Sequence, residues 1–255
     1  MRPPRGVRGC ALAAIAIAIA LSACAPASPR PAALVPPTLA EWTAARARLA
    51  SLRAQVVPHT LRVALALREP VTGRVLEARG ALAVAPPASL RMILLGPGGT
   101  TAIDLWIQGD SWRFAVPAID LRKRGDASSP REARRGLPVD FLRWWLLRPA
   151  EGRLLWASRE ASTDHLVLRD GEAIVDLHAT DSGAVTARRT TWTLLPTRHQ
   201  LDEETVDAER VGCGKVRYRQ ASTGLEVTVR CEGEEPSPPS PRAFVDPDTL
   251  DEEEP

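Results

Sequence analysis

The 255-residue chain contains no run of lysine and arginine, although basic and acidic residues are nearly balanced at 33 and 31. Nucleic-acid binding proteins usually carry a basic stripe with interleaved aromatic residues, so the missing stripe argues against a nucleic-acid partner. The sequence also lacks a Gly-x-Ser-x-Gly nucleophile elbow, and its glycine-rich residues 96–99 lack the Lys and Ser/Thr of a phosphate loop. Glu203, Glu204 and Asp207 are close in sequence, but acids in a strand-and-turn region are usually solvated. We therefore expect neither an enzyme nor a cofactor.

Histidine is scarce, and its four positions do not form a group with metal-ligand spacing: His59, His165, His178 and His199. His165 and His178 could meet across two strands, but no cysteine or paired carboxylate accompanies them. The favoured interpretation is that these histidines are structural or exposed, and we expect no metal.

An apolar run long enough to cross a membrane is missing from the N-terminus. Residues 10–21 are uninterruptedly apolar, but a membrane helix needs about 20 such residues. Arg2, Arg5 and Arg8 precede this run and small residues follow it, which is the pattern of a secretory signal peptide. We assign the signal peptide to residues 1–23.

Residues 21–24, Leu-Ser-Ala-Cys, resemble the lipobox of bacterial lipoproteins, in which the signal is cleaved before a cysteine that receives lipid. The resemblance implies attachment of acyl chains such as palmitate at Cys24. Ala25, rather than Asp, follows this cysteine, which favours export to the outer membrane. An ordinary signal peptide with a chance cysteine is the alternative. Residues 24–37, rich in Pro, Ala and Ser, then form a tether.

Only two cysteines remain once Cys10 leaves with the signal and Cys24 is modified. In an oxidising periplasm, Cys213 and Cys231 are naturally interpreted as one disulfide.

The strands around these two cysteines introduce a conflict. Alternation favours Tyr218 opposite Leu225, and that register places Cys213 and Cys231 on opposite faces. A bulge at residues 212–214 would turn Cys213 around, since glycine is tolerated in bulges. We favour the disulfide.

The first predicted element after the tether is a helix. Thr38 and Glu41 form a capping box, and the helix ends before Pro58. Its apolar stripe recurs at spacings of three and four: Leu39, Trp42, Ala45, Leu49, Leu52 and Val56. Packing against a sheet is favoured over a free membrane-surface helix.

Alternating apolar residues predict strands over 61–116 and 153–231, joined by short turns as in an antiparallel meander. The charged stretch 122–136 predicts an exposed loop, and the apolar stretch 137–149 a short buried helix. A βαβ rhythm is missing, which excludes a doubly wound parallel sheet. Residues 232–255, with nine acids and many prolines, predict a disordered tail.

Apolar residues are in surplus for a single sheet. The strand 102–107 places Ile103, Leu105 and Ile107 on one face and Trp106 on the other. Two apolar faces must be covered twice or must line a cavity for an apolar ligand. A tightly packed core under the two helices is the equal alternative.

Two segments resemble the LolB-like outer-membrane lipoproteins. Residues 136–147, Gly-Leu-Pro-Val-Asp-Phe-Leu-Arg-Trp-Trp-Leu-Leu, are similar to the family's Gly-x-Pro-x-x-x-Leu-x-x-Trp-x-Leu helix. Residues 90–101 are similar to its strand, Gly-containing turn and following strand. The resemblance covers residues 38–180 well and 181–231 loosely.

The resemblance implies a mainly β fold with two or three helices, an incomplete antiparallel β-barrel of about eleven strands over residues 38–231 with a helical lid, LolA/LolB-like. It implies a periplasmic, outer-membrane-anchored monomer that binds acyl chains of lipoproteins or lipids in a hydrophobic cavity and delivers them, with a periplasmic carrier protein as a further partner. The candidate cavity residues are Leu94, Ile103, Leu105, Ile107, Trp112, Leu142, Trp145 and Leu146.

Three features depart from the family pattern: the acidic tail, the candidate disulfide, and residues 85–88, where a protruding loop would need a large apolar residue. The alternative function is that of a periplasmic sensor or scaffold that uses the same fold to bind a protein partner through the tail.

Overall fold

The computed structural model describes residues 35–250, except 56, 69, 71, 135, 196 and 197. The elements described below belong to the unit that spans residues 37–255. The predicted signal peptide and the lipidation site Cys24 lie outside the described residues. Among those described, no helix is long and apolar enough to cross a membrane.

Thirteen strands form one antiparallel sheet. They are β1 (His59–Arg68), β2 (Val75–Ala85), β3 (Ser89–Leu95), β4 (Thr101–Gln108), β5 (Ser111–Val116), β6 (Leu121–Gly125), β7 (Arg153–Glu160), β8 (Thr163–Asp170), β9 (Ala173–Thr180), β10 (Val185–Leu195), β11 (Arg198–Ala208), β12 (Lys215–Gln220) and β13 (Leu225–Glu234). The helices are α1 (Leu39–Ala54), α2 (Val139–Phe141), which continues into a π-helical turn (Leu142–Leu147), and α3 (Pro247–Leu250).

The sheet is an open meander. Its strand order is β6-β5-β4-β3-β2-β1-β13-β12-β11-β10-β9-β8-β7. Strands β6 and β7 are therefore the two edges, and the chain passes from one edge to the other through residues 126–152, which contain α2 and the π-helical turn. The predicted open antiparallel architecture is confirmed, with thirteen strands rather than about eleven.

One face of the sheet, here named the inner face, carries a continuous apolar row. Leu61 pairs with Leu82, which pairs with Met92, then with Leu105 and finally with Phe114 across β1 to β5. Directly paired residues share a face, and these five are at most 4% exposed. The alternating apolar pattern of the sequence thus produces the core on this side.

Helix α1 begins as predicted. The Glu41 amide donates to Thr38 Oγ1 at 3.3 Å, and the Thr38 amide donates to a Glu41 carboxylate oxygen at 2.7 Å. The buried stripe is narrower than predicted because Leu39 is exposed, while Val56 lies outside the described residues. The helix packs against β7. Its buried residues are Ala45, Leu49 and Leu52.

The expected exposed loop over 122–136 is wrong for residues 122–125, which belong to strand β6. Residues 121–125 pair with β5, although they are strongly charged. The charge is tolerated because Arg124 forms ion pairs with Asp246 and Asp248 from the far end of the chain. A local sequence window does not contain these partners.

The prediction of a disordered tail over 232–255 is corrected for residues 232–250. Strand β13 extends to Glu234, and the segment that follows lies on the outer face of β4 to β6. Trp106 Nε1 donates to the Phe244 carbonyl at 2.8 Å, and Arg113 Nε donates to Asp248 Oδ1 at 2.8 Å. The segment is ordered because its carboxylates neutralise a nearly buried arginine and its backbone covers a tryptophan. The segment thereby covers Trp106, the apolar residue that the alternation of β4 places on the outer face.

Cys213 and Cys231 form a disulfide, with their Cα atoms 5.2 Å apart. The predicted register is wrong by two residues, since Tyr218 pairs with Val227 and not with Leu225. A shift of two keeps every side chain on its face. The segment before β12 leaves regular strand geometry, with Gly212 at a φ of 86°, which lets Cys213 approach its partner.

Candidate functional site

All eight predicted cavity residues lie in one hydrophobic cluster on the inner face, and none is more than 8% exposed. Leu94 and Ile103 are cross-strand partners, as are Ile107 and Trp112. The residues predicted to meet are therefore together. They are packed as a core, which is the alternative that the sequence left open.

The inner face is covered in part by α2 and the π-helical turn, named here the cover segment (residues 139–147). Its backbone hydrogen bonds join residues five apart, as in a π-helix; for example, the Arg148 amide donates to the Arg143 carbonyl at 3.2 Å. Such turns are rare and frequently occur at functional sites. The cover segment packs against β2 and β3. Its buried side chains are Val139, Phe141, Leu142, Trp144, Trp145, Leu146 and Leu147.

Two aromatic contacts attach the cover segment to the second half of the sheet. Phe141 stacks on Tyr218 with ring centroids 4.5 Å apart. The guanidinium of Arg189 lies 5.6 Å from the centre of the Trp144 ring, at the distance of a cation–π contact. These contacts connect the cover segment to β10 and β12.

A buried polar network, not predicted from the sequence, lies behind these contacts. Tyr218 Oη donates to a Glu204 carboxylate oxygen at 2.7 Å, and Arg189 bridges Glu204 and Asp170 at 3.4 and 3.1 Å. Glu204 is 1% exposed, so the expectation that it is solvated is wrong. Burial, with the adjacent Glu204 charge, raises the pKa of Tyr218 well above its ordinary value, so its hydroxyl stays protonated and donates.

The missed signal was a polar residue at an inner position of a strand. Tyr218 and Gln220 follow Val216 at spacing two on β12, and Glu204 precedes Val206 on β11 in the same way. Alternation therefore places these polar groups inside. It does not show that they are partners, because their pairing depends on register between strands.

A cavity of about 600 Å³ opens where the cover segment ends. We name it the mouth. It is lined by Arg53, Pro86, Pro87, Leu147, Arg148, Pro149, Glu151, Gly152, Asp170 and Gly171. Arg148 Nε donates to the Pro87 carbonyl at 2.8 Å, and Arg53 donates to the Ala150 carbonyl at 2.9 Å. The mouth connects the surface to Leu147, which belongs to the core cluster.

A larger depression of about 740 Å³ lies elsewhere, lined by outer-face residues such as Ala64, Arg79, Lys215 and Arg230. None of the eight predicted cavity residues is among its lining residues. Its size therefore does not identify it as the predicted site, whereas the lining of the mouth includes Leu147 at the end of the cover segment.

No family model and no curated protein matches the sequence. Solved structures do match the fold. A LolA superfamily protein from Nitrosomonas europaea aligns with a TM-score of 0.50 at 11% identity, covering 80% of this chain and 97% of that chain. A DUF1329 family protein from Desulfovibrio piger aligns with a TM-score of 0.50 at 11% identity, covering 85% and 100%. This chain has a LolA-like fold. A putative outer membrane lipoprotein-sorting protein domain from Vibrio parahaemolyticus aligns at 0.46 and 9% identity, covering 79% and 95%.

The LolA-like fold agrees with the position of residues 136–147. The stretch that resembles the Gly-x-Pro-x-x-x-Leu-x-x-Trp-x-Leu helix contains the whole cover segment, residues 139–147, which lies over the inner face of the open sheet. The fold class expected from the sequence is therefore confirmed.

Proposed function

We propose that this protein is a periplasmic lipoprotein that binds acyl chains of lipoproteins or lipids against the inner face and takes part in their delivery to the outer membrane. One observation carries the proposal. The inner face is apolar across β1 to β5, and the cover segment over it is a short insertion between the two open edges of the sheet. The LolA-like fold supports the same interpretation.

An acyl chain would bind by taking the place of side chains of the cover segment. Burial of a methylene group contributes about 0.8 kcal/mol, so a sixteen-carbon chain gains roughly 12 kcal/mol before any cost. The cover segment is held by the aromatic stack and the cation–π contact and also by burial of its seven apolar side chains, each worth about 1.5–3 kcal/mol. A long acyl chain therefore compensates for displacement of the segment only if the displaced side chains pack against the bound chain.

The mouth would receive the polar end of the ligand. Arg53 and Arg148 lie at its wall, and both already donate to backbone carbonyls there. Spare guanidinium donors can bind carboxylate or phosphate oxygens. Glu151 and Asp170 also line the mouth, and Arg148 pairs with Glu151 at 3.6 Å, so this mixed lining fits an amphiphile with a polar, carbonyl-rich head.

The proposed anchor is Cys24, which follows the lipobox-like residues 21–23. Cys24→Ala should abolish incorporation of labelled palmitate and release the protein from membranes, because no acyl acceptor then follows the cleavage site. Cys10→Ala, within the same signal peptide, is the matched control and should keep the label. Persistent labelling of the Cys24 variant would rule out the anchor.

Ligand binding is tested with the full chain and a fluorescent fatty acid or a synthetic triacylated lipopeptide. We expect saturable binding that unlabelled lipopeptide competes away. The alternative, a scaffold that binds a protein through its acidic tail, is weakened because Asp246 and Asp248 already pair with Arg113 and Arg124. A stably co-purified protein with no lipid binding would favour that alternative instead.

A further inference from the structure

Two of the histidines meet on the outer face of the sheet. His165 on β8 and His178 on β9 are direct cross-strand partners, and their rings stack with centroids 4.2 Å apart. Asp176 lies two residues before His178, so it is on the same face. Its Oδ1 is 2.5 Å from His165 Nε2 and 3.4 Å from His178 Nε2. Asp176 is thus the carboxylate that accompanies these histidines. Alternation along β9 places it on the same face as His178.

These three residues offer two imidazole nitrogens and one carboxylate oxygen within 4.8 Å of one another. Two histidines and one carboxylate are a recurrent ligand set for zinc. Imidazole also suits copper and nickel, whereas magnesium and calcium prefer oxygen ligands. The chemistry of the donors therefore selects a borderline transition-metal ion.

Binding of one ion requires one distance to change: Asp176 Oδ1 is already 3.4 Å from His178 Nε2, but its 2.5 Å hydrogen bond to His165 Nε2 must open. Tetrahedral ligands at bonds of about 2.1 Å lie about 3.4 Å apart. The stacked rings, 13° from parallel, must tilt so that both nitrogen lone pairs point to the same ion. The side chains of His165 and His178 are 30% and 45% exposed, so small rotations can supply that tilt.

The surroundings leave the ligand atoms available. Arg188 Nη2 lies 3.5 Å from the other oxygen of Asp176, Oδ2, and thereby orients the carboxylate without covering Oδ1. A groove of about 340 Å³ adjoins the site and is lined by Asp176, His178, Arg188, Glu203 and Asp207 among others. Its additional carboxylates attract cations, and its open side leaves coordination positions for water.

We propose that His165, Asp176 and His178 form a surface site for a single transition-metal ion, Zn²⁺ or Cu²⁺. The site lies on the face opposite the proposed acyl-chain site, so its occupancy can be measured without any lipid. It is also independent of the proposed function.

The test uses the full chain, freed of metal with a chelator, and titration with Zn²⁺ alone against a chromophoric competitor. We expect one Zn²⁺ per chain. Asp176→Asn and His178→Gln should each weaken binding about tenfold or more. Glu203→Gln removes the same charge as Asp176→Asn from the same groove but no ligand, and should change the affinity by less than about threefold.

A second readout does not depend on affinity. Cu²⁺ bound at this site should show two histidine nitrogens by electron paramagnetic resonance, and one in the His165→Gln variant. It should also quench Trp156, whose ring lies 5.0 Å from that of His165, and the quenching should be reduced in Trp156→Phe while Zn²⁺ binding is kept. Unchanged Zn²⁺ binding in a His165→Gln/His178→Gln variant that retains the parent circular dichroism would overturn the proposal. So would failure of the parent chain to bind Zn²⁺ at about 100 µM.

Discussion

At the scale of single residues, Glu204 is a carboxylate buried in the interior with hydrogen-bond partners on other strands. It is 1% exposed and receives the Tyr218 hydroxyl at 2.7 Å. Tyr218→Phe removes one donor from a buried carboxylate, and we expect a loss of about 1–3 kcal/mol in the free energy of unfolding. Denaturant unfolding measures this loss. Glu203→Gln, at the partly exposed neighbouring residue, should change it by less than about 0.5 kcal/mol. Equal stability of Tyr218→Phe and the parent would show that the hydroxyl is not needed.

At this scale the positions of apolar side chains could be predicted from the sequence, and those of the buried or paired polar side chains could not. Leu94 and Trp112, both predicted as cavity residues, are buried, and the burial of an apolar residue needs no specific partner. Glu204 and Asp176 depend on groups in other strands, Tyr218 for the first and His165 for the second. Those partners are fixed by register, which the pattern of one strand does not determine.

At the scale of elements, the C-terminal segment after β13 contributes carboxylates that pair with Arg113 on β5 and Arg124 on β6. Burial pushes the pKa of Asp248 upward, but hydrogen bonds and charge from Arg124 and Arg113 outweigh this and hold that pKa below its ordinary value. Its contribution to stability is therefore present above the unfolded pKa of about 3.9 and is lost as the pH falls through the lower folded value. The residues that follow Asp248 to the chain end lie mostly outside the described residues.

Asp248→Asn should thus lower the melting temperature at pH 7, because Arg113 is 5% exposed and loses a charged partner. The difference from the parent should shrink as the pH falls below about 4. Thermal melts between pH 3 and pH 7 measure it. Asp120→Asn, on the exposed turn before β6, is the control and should show little change. A difference that stays constant with pH would mean that the carboxylate charge is not responsible.

The disulfide connects β13 with the irregular segment before β12. It joins residues 18 apart, and in the chain-entropy model such a crosslink stabilises the fold by about 3 kcal/mol. Cys213→Ser/Cys231→Ser should lose a comparable amount under non-reducing conditions. Reductant should destabilise the parent chain and leave this variant unaffected. A parent chain insensitive to reductant, with free thiols at both positions, would contradict the pairing.

Strands with one apolar face could be predicted from the sequence. Charged segments could not, because the residues that neutralise them are distant in the sequence. The meander from β1 to β5 follows from period-two alternation and short turns. Strand β6 and the ordered C-terminal segment support each other through Arg124, Asp246 and Asp248. Each is highly charged by itself, and composition alone therefore favours a loop and a tail.

For the whole molecule, the open sheet has two faces with different chemistry. The inner face is apolar across β1 to β5 and carries the buried network of Tyr218, Glu204 and Arg189 across β10 to β12, whereas the outer face carries solvent-accessible ion pairs and the histidine pair. The open architecture could be predicted from the meander together with the resemblance over residues 136–147. The sequence does not predict whether the interior is filled, because the same apolar pattern fits a packed core and a ligand cavity.

A displaceable cover and a permanent core should respond differently when a buried side chain is truncated. Leu65 on β1 is 1% exposed and stays in the sheet whether or not a ligand binds, so Leu65→Ala should cost about 2–5 kcal/mol. Trp145 is 2% exposed but lies on the cover segment, which can resettle. We expect Trp145→Ala to lower the melting temperature less than Leu65→Ala, and to bind a fluorescent fatty acid about tenfold more tightly because the chain occupies the vacated volume. Trp192→Ala removes an exposed tryptophan and should change neither property. If no variant binds the fatty acid and the loss of stability simply follows the volume removed, the interior is a permanent core and the acyl-chain proposal is wrong.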